Sequence, residues 1–144
     1  MRKYRLIFKY IYLISLIAYL WYTLDTTIFS RNEYADYQYK AVSFWSYKAI
    51  MDGKDLLIKE DLLNVALFIP IGFLLLYVLP RRSWWKALLF GLGFSCFIEL
   101  IQLVWKRGTC EFNDVFHNTI GCILGYCVSL ILTNLYNSNT LEQQ

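Results

Sequence analysis

The sequence predicts an all-α membrane protein with four transmembrane helices and an interfacial segment between helices one and two. Three observations carry the prediction. Of 144 residues, 58% are hydrophobic and only 17% charged, at a mean hydropathy of +0.39, which is too apolar for a small soluble domain that must present a charged surface. The apolar residues gather in four blocks, at about 6–24, 62–79, 86–104 and 115–135, each close to the roughly 20 residues that cross a hydrocarbon core. Lys and Arg stand without acidic neighbours at the N-terminus and in the 81–86 turn, whereas in the outer loops Arg31, Lys40, Lys48, Lys54, Lys59, Lys106 and Arg107 are interleaved with Asp and Glu. No repeat or low-complexity tract divides the chain, so residues 1–144 read as a single membrane domain.

The first block, "LIFKYIYLISLIAYLWYTL", follows Arg2, Lys3 and Arg5 in the manner of a signal peptide. Its apolar run is too long for one and no small-residue cleavage site follows, so it reads as a retained anchor. Lys9 lies near its end, where a long cationic side chain can snorkel to the headgroups. Residues 25–61 form the outer loop, where Tyr34, Tyr37, Tyr39, Phe44, Trp45 and Tyr47 alternate with charges. That mixture favours the membrane interface. We therefore expect a segment lying on the outer leaflet.

The second block carries Asn64 at its outer end and Pro70 within "FIPIG", where the missing backbone donor loosens the helix. The turn "PRRSWWK" then joins helices two and three, with Arg81, Arg82 and Lys86 on the same side as the basic N-terminus. Cationic loops resist translocation. Both termini are thus expected in the cytoplasm, in a multi-pass protein of the cell membrane. The net charge of +3 describes topology and offers no basic face for nucleic acid.

Helices three and four enclose the most polar stretch, "IELIQLVWKRGTCEFNDVFHNTIG". Glu99 lies six residues before Trp105, about 9 Å below the interface at 1.5 Å per residue. Gly91, Ser95, Glu99 and Gln102 follow one helical face, so the polar stripe is also a small-residue stripe. An intramembrane carboxylate must face protein or water. Helix four continues with Asp114, His117 and Asn118, then Gly121 and Gly125 at G-x-x-x-G spacing. The simplest packing lays the Asn118–Gly121–Gly125 face on Ser95–Glu99–Gln102. Glu99, Gln102, Asp114 and Asn118 then converge in an outward cleft bordered by Lys106 and Arg107.

Other chemistries fit less well. Cys110, Glu111, Asp114 and His117 match no standard zinc spacing, so no metal or cofactor is expected. Cys96, Cys122 and Cys127 fall inside helices as small packing residues. The single histidine offers no nucleophilic triad. Asp114, opening a helix, also suits the positive end of its dipole. Asn118 reads most simply as an interhelical hydrogen bonder.

At these residues the chain resembles the VanZ-like family of bacterial membrane proteins. The resemblance lies in "NVALFIPIGFLL" (64–75), "SCFIELIQL" (95–103) and "RGTCEFNDVFHNTIGCILGY" (107–126), with the four-helix hydropathy. The family's recurring polar residues fall on Asn64, Glu99, Gln102, Arg107, Asp114 and Asn118. Glu111 stands where relatives usually have Asp, and Cys122 where they commonly have Gly. The resemblance implies a bacterial cell-membrane protein, and the founding members lower susceptibility to the glycopeptide antibiotic teicoplanin. Three classes are open. The preferred one is a binding protein whose cleft engages membrane lipids, a lipid-linked cell-wall precursor or a membrane protein partner. The second is an enzyme on a lipid-linked substrate with Glu99 and Asp114 as acid and base, and the third a small transporter or flippase.

Overall fold

The computed structural model describes residues 2–40, 51, 56–79 and 82–141. Four long helices dominate it: α1 (Arg2–Leu24), α2 (Leu56–Val78), α3 (Trp84–Trp105) and α4 (Phe112–Leu141). Each contains a stretch long and apolar enough to cross a membrane, and the chain is a multi-pass membrane protein. Helix α2 starts earlier than its apolar block, because Leu, Lys and Glu make up most of "LLIKED" and favour the helix even where they are charged. Helix α4 runs on through "TNLYNSNT". At 30 residues it is about 45 Å long, more than the roughly 30 Å of a hydrocarbon core.

Helix α1 widens at its end into a π-helical turn, Asp25–Phe29. Threonine hydroxyls compete for the helix carbonyls here: Thr23 Oγ1 donates to the Tyr19 carbonyl at 2.9 Å and Thr27 Oγ1 to the Thr23 carbonyl at 2.6 Å. Such back-bonding bends helices. The wide turn buries Thr27 and Ile28 in the bundle. It also leaves Phe29 between Trp21 and Trp105, at ring distances of 5.9 and 5.8 Å.

The core is built on α2 and α4, which run parallel and touch backbone to backbone. A β-carbon at Gly121 would overlap the Val65 carbonyl, one at Gly125 the Ile69 carbonyl, and one at Gly72 the Cys122 carbonyl. This differs from the expected packing, in which the Gly121–Gly125 face lay on α3. The physical reason is reciprocity: α2 brings its own glycine, Gly72, so the two backbones can close on each other from both sides. Helix α3 meets α4 through the flank of that face, where Gly91 accommodates Thr119 and Cys122. Phe68, Ile71, Leu75, Ile98 and Tyr126 fill the remaining space.

Helix α1 sits outside this trio against α2, through Leu16 and a stacked Tyr12–Tyr77 pair at 4.3 Å. Its other faces, including Ile7, Ile14 and Trp21, stay exposed, as a lipid-facing helix requires. The end carrying the α2–α3 turn is tied by side chains. The Ser83 N–H donates to the Tyr126 hydroxyl at 2.6 Å and Arg82 Nη1 to Asn134 Oδ1 at 3.3 Å.

The opposite end is closed by the 106–111 turn. Lys106 ends α3 in the left-handed region (φ 54°), and Gly108 also has positive φ (82°). Residues 30–40 lie along this turn as a clip. The Tyr34 N–H donates to the Lys106 carbonyl at 2.8 Å and the Cys110 N–H to the Gln38 carbonyl at 3.0 Å. Strand β1 (Tyr39–Lys40) then pairs in parallel with β2 (Cys110–Glu111), Tyr39 opposite Cys110. The described part of the outer loop is therefore held by turn backbone groups that would otherwise lack partners. Phe44, Trp45 and Tyr47, the remaining aromatics of the expected outer-leaflet segment, lie outside the described residues.

Candidate functional site

The clipped end of the bundle is where buried polar groups collect. Glu99, only 5% exposed, faces inward because its face of α3 is shared with Ser95 and Gln102. Its Oε2 accepts the Glu111 backbone N–H at 2.7 Å, so the carboxylate anchors the start of α4 and the strand pair from below. Asp114 stands in the first turn of α4, where the helix dipole favours a negative charge. It lies near enough to Glu99 to interact electrostatically, and Arg31 is a cation in the field of both.

Above Glu99 opens a cavity of about 390 Å³, lined by Tyr39, Glu99, Leu103, Cys110, Glu111, Phe112 and Val115. Its walls are mostly apolar, with Glu99 the buried acidic side chain. Cys110 shares the wall, and burial together with the neighbouring Glu99 carboxylate pushes its thiol up to about 11. The thiol is therefore protonated, and a poor nucleophile, at neutral pH.

Gln102 and Asn118 face the helix contacts. Gln102 Nε2 donates to the Thr27 carbonyl at 2.7 Å, so the amide pins the π turn of α1 to α3. Asn118 Nδ2 donates to Ser95 Oγ at 2.8 Å, which is the expected interhelical bond. The amide oxygens of both residues are buried without a hydrogen-bond partner among the described residues.

Two of the six candidates lie apart. Arg107 turns away from Glu99: Nη1 donates to the Phe29 carbonyl at 3.2 Å, and Nη2 pairs with Glu33 at 3.5 Å. With Phe29, Glu33, Val104, Trp105 and Lys106 it lines a second cavity of about 560 Å³. Lys106 likewise faces the clip, donating to the Ala35 carbonyl at 2.9 Å, with its ammonium 4.9 Å from the Tyr37 ring centre. Asn64 is half-buried on α2 and makes no side-chain hydrogen bond among the described residues. The cluster is thus Glu99, Gln102, Asp114 and Asn118, with Arg107 across the turn.

The family model described as VanZ/LLP1 matches residues 8–133. The chain belongs to the VanZ family. Among curated proteins it is similar to Protein VanZ of Enterococcus faecium, 28% identical over 115 residues, which is 80% of this chain and 66% of the relative. The chain thus spans just under two thirds of that VanZ protein's length. No solved structure matches it.

Around the polar cluster of this VanZ-family chain stand further residues, most of which the sequence did not single out. His117 is buried, and its Nδ1 lies 3.4 Å from Asp61 on α2. Asp61 precedes Val65 by one helical turn, and Val65 meets Gly121. Helical spacing from that contact would have revealed the pair had the α2–α4 seam been known. Asn113 is fully buried in the first turn of α4. Thr27 and Arg31 come from a loop more than sixty residues distant in sequence, and no local pattern marks them.

Proposed function

We propose that this VanZ-family membrane protein lowers susceptibility to glycopeptide antibiotics such as teicoplanin, by engaging a lipid or lipid-linked precursor of the cell envelope at its clipped, polar end. The observation that carries the reading is Glu99: a carboxylate buried within a membrane-spanning helix, fixed to the backbone of the following helix and lining a cavity. Ionisable groups inside membranes are costly and are candidate functional sites by default. Gln102 and Asn118 tie the surrounding helices, Asp114 adds a second acidic group, and Arg107 stands across the turn to meet an anionic group.

In this reading the clipped end faces outward and both termini lie in the cytoplasm. Lys9 near the start of α1 and Arg82 and Lys86 at the start of α3 support that orientation. Cysteine labelling from outside intact cells should reach residue 36 after Asp36→Cys and not residue 138 after Ser138→Cys; the reverse pattern would invert the topology.

The functional test is teicoplanin and vancomycin susceptibility of a sensitive Gram-positive host. It compares the parent chain with Glu99→Gln and Asp114→Asn at matched membrane abundance. Tolerance to teicoplanin that is raised by the parent and lost in Glu99→Gln is the expected result. A well-inserted parent chain without effect would overturn the proposal. Altered precursor masses in lipid extracts would replace binding with catalysis.

A further inference from the structure

Resting on the binding role proposed for the Glu99 cavity, we infer that its ligand is an amphiphile bearing a protonated amine, with the amine on Glu99 and the apolar part along Leu103, Phe112 and Val115. The cavity of about 390 Å³ has room for a short segment of such a molecule and not for a whole lipid. Its composition is asymmetric. Apolar side chains and the Tyr39 ring form nearly all of the walls, Glu99 is the buried acidic side chain at their base, and among the described residues no Lys or Arg takes part in the lining.

Among the described residues the neighbouring charges are mostly of the same sign. Asp114 and Glu111 both act on Glu99, against the opposing charge of Arg31, whose side chain is exposed. A phosphate or carboxylate entering here would face acidic groups; an ammonium would find an acceptor. Glu99 is also prepared for the task, since the Glu111 N–H occupies Oε2 and holds the carboxylate in one orientation. Phe112 stands half-exposed at the rim, and Leu100 and Phe116 are exposed one turn deeper into the helices. The apolar part of a ligand can therefore continue from the cavity onto a lipid-facing surface.

The second cavity has the opposite chemistry. Arg107 and Lys106 stand there beside Glu33, so an anionic headgroup is better accommodated on that side of the turn. The two cavities thereby divide the charges of the clipped end between them.

The test is native mass spectrometry of the full chain in detergent with oleylamine, oleyl alcohol or oleic acid, which share a chain and differ in headgroup. The parent should bind oleylamine about tenfold more tightly than the alcohol, or about 1.4 kcal/mol, and oleic acid most weakly. Glu99→Gln keeps an oxygen for the Glu111 N–H and should lose the amine preference while retaining weak binding of all three. Leu103→Trp, which narrows the cavity without touching a charge, should reduce oleylamine binding and serves if Glu99→Gln does not fold. Equal binding of amine and alcohol by the parent overturns the inference, as does an amine preference unchanged in both variants. Failure here alongside Glu99-dependent teicoplanin tolerance would remove the ligand class and leave the function. Amine selectivity in a chain that confers no tolerance would do the reverse.

Discussion

The α2–α4 seam and the clipped end of the bundle solve the same problem, burying backbone in a membrane, in opposite ways. The seam is dry and made of glycines pressed against carbonyls, with Gly72, Gly121 and Gly125 each in contact with the facing backbone. The clipped end is wide and polar, held by side chains reaching across gaps: Glu99 to Glu111, Gln102 to Thr27, Asn118 to Ser95. The seam closes backbone on backbone at its glycines, whereas the clipped end has two cavities beside it. Close packing along the seam holds the helices together, so polar groups at the clipped end are free to hold shape and charge.

The largest expected effect breaks the seam. Gly121→Leu or Gly125→Leu forces a side chain into a carbonyl and should cost about 3 kcal/mol or more, seen as loss of the monodisperse folded peak in detergent. Gly93 provides the contrast, because nothing lies within 4 Å of a β-carbon there. Gly93→Ala should be neutral or stabilise by up to about 1 kcal/mol through helix propensity. Equal damage at Gly93 and Gly121 would show that the contacts at Gly121 are not what matters.

Smaller effects are expected where side chains bridge helices. A double-mutant cycle between Asn118→Leu and Ser95→Ala should give a coupling of about 0.6 kcal/mol, up to about 1.7, from thermal unfolding of the four proteins. Zero coupling would mean that the two groups do not bond. Gln102→Leu releases the Thr27 carbonyl and should chiefly loosen the clip, accelerating amide exchange in residues 25–40 while leaving α2 and α4 protected. Uniform acceleration would place Gln102 in the global core instead.

The smallest effect is chemical. Cys110 in the folded protein ionises at about 11 rather than the ordinary 9.0, chiefly through burial and secondly through Glu99. Alkylation of Cys110 should therefore be slow at pH 8 and rise only as the pH approaches 11. In Glu99→Gln the rise should come at lower pH, because the Glu99 contribution is gone while burial, Asp114 and Glu111 remain. The sign for stability follows: the folded state favours the thiol, so relative to pH 7 the protein loses nothing from this group below pH 9 and loses stability as the unfolded thiol ionises between about 9 and 11. Prompt alkylation of Cys110 at pH 7 would show that the thiol is neither buried nor beside a carboxylate.

Much of the fold was legible because hydropathy and length act locally. Four apolar blocks specify four spans whatever they pack against. The polar stripe on α3 was legible too, since Ser95, Glu99 and Gln102 share a face by helical geometry alone. The partners were harder to read. Gly121 and Gly125 advertise close approach without saying to which helix, and Gly72, hidden in "FIPIG" behind Pro70, was the missing half of the answer. Arg107 was grouped with Glu99 by proximity in sequence, yet the left-handed Lys106 and positive-φ Gly108 turn it to the other side.

The amino-acid sequence by itself therefore determined that this chain spans the membrane, where its helices run and which side chains must be kept from lipid. Those properties depend on single residues and their spacing along one helix. Only the tertiary structure decided that Thr27, Arg31 and Tyr39 come to the α3–α4 turn, that Asp61 meets His117, and that one polar stretch splits into two cavities of opposite charge. Such outcomes depend on which surfaces meet, and that choice is made by fit between whole helices, not by any one of them.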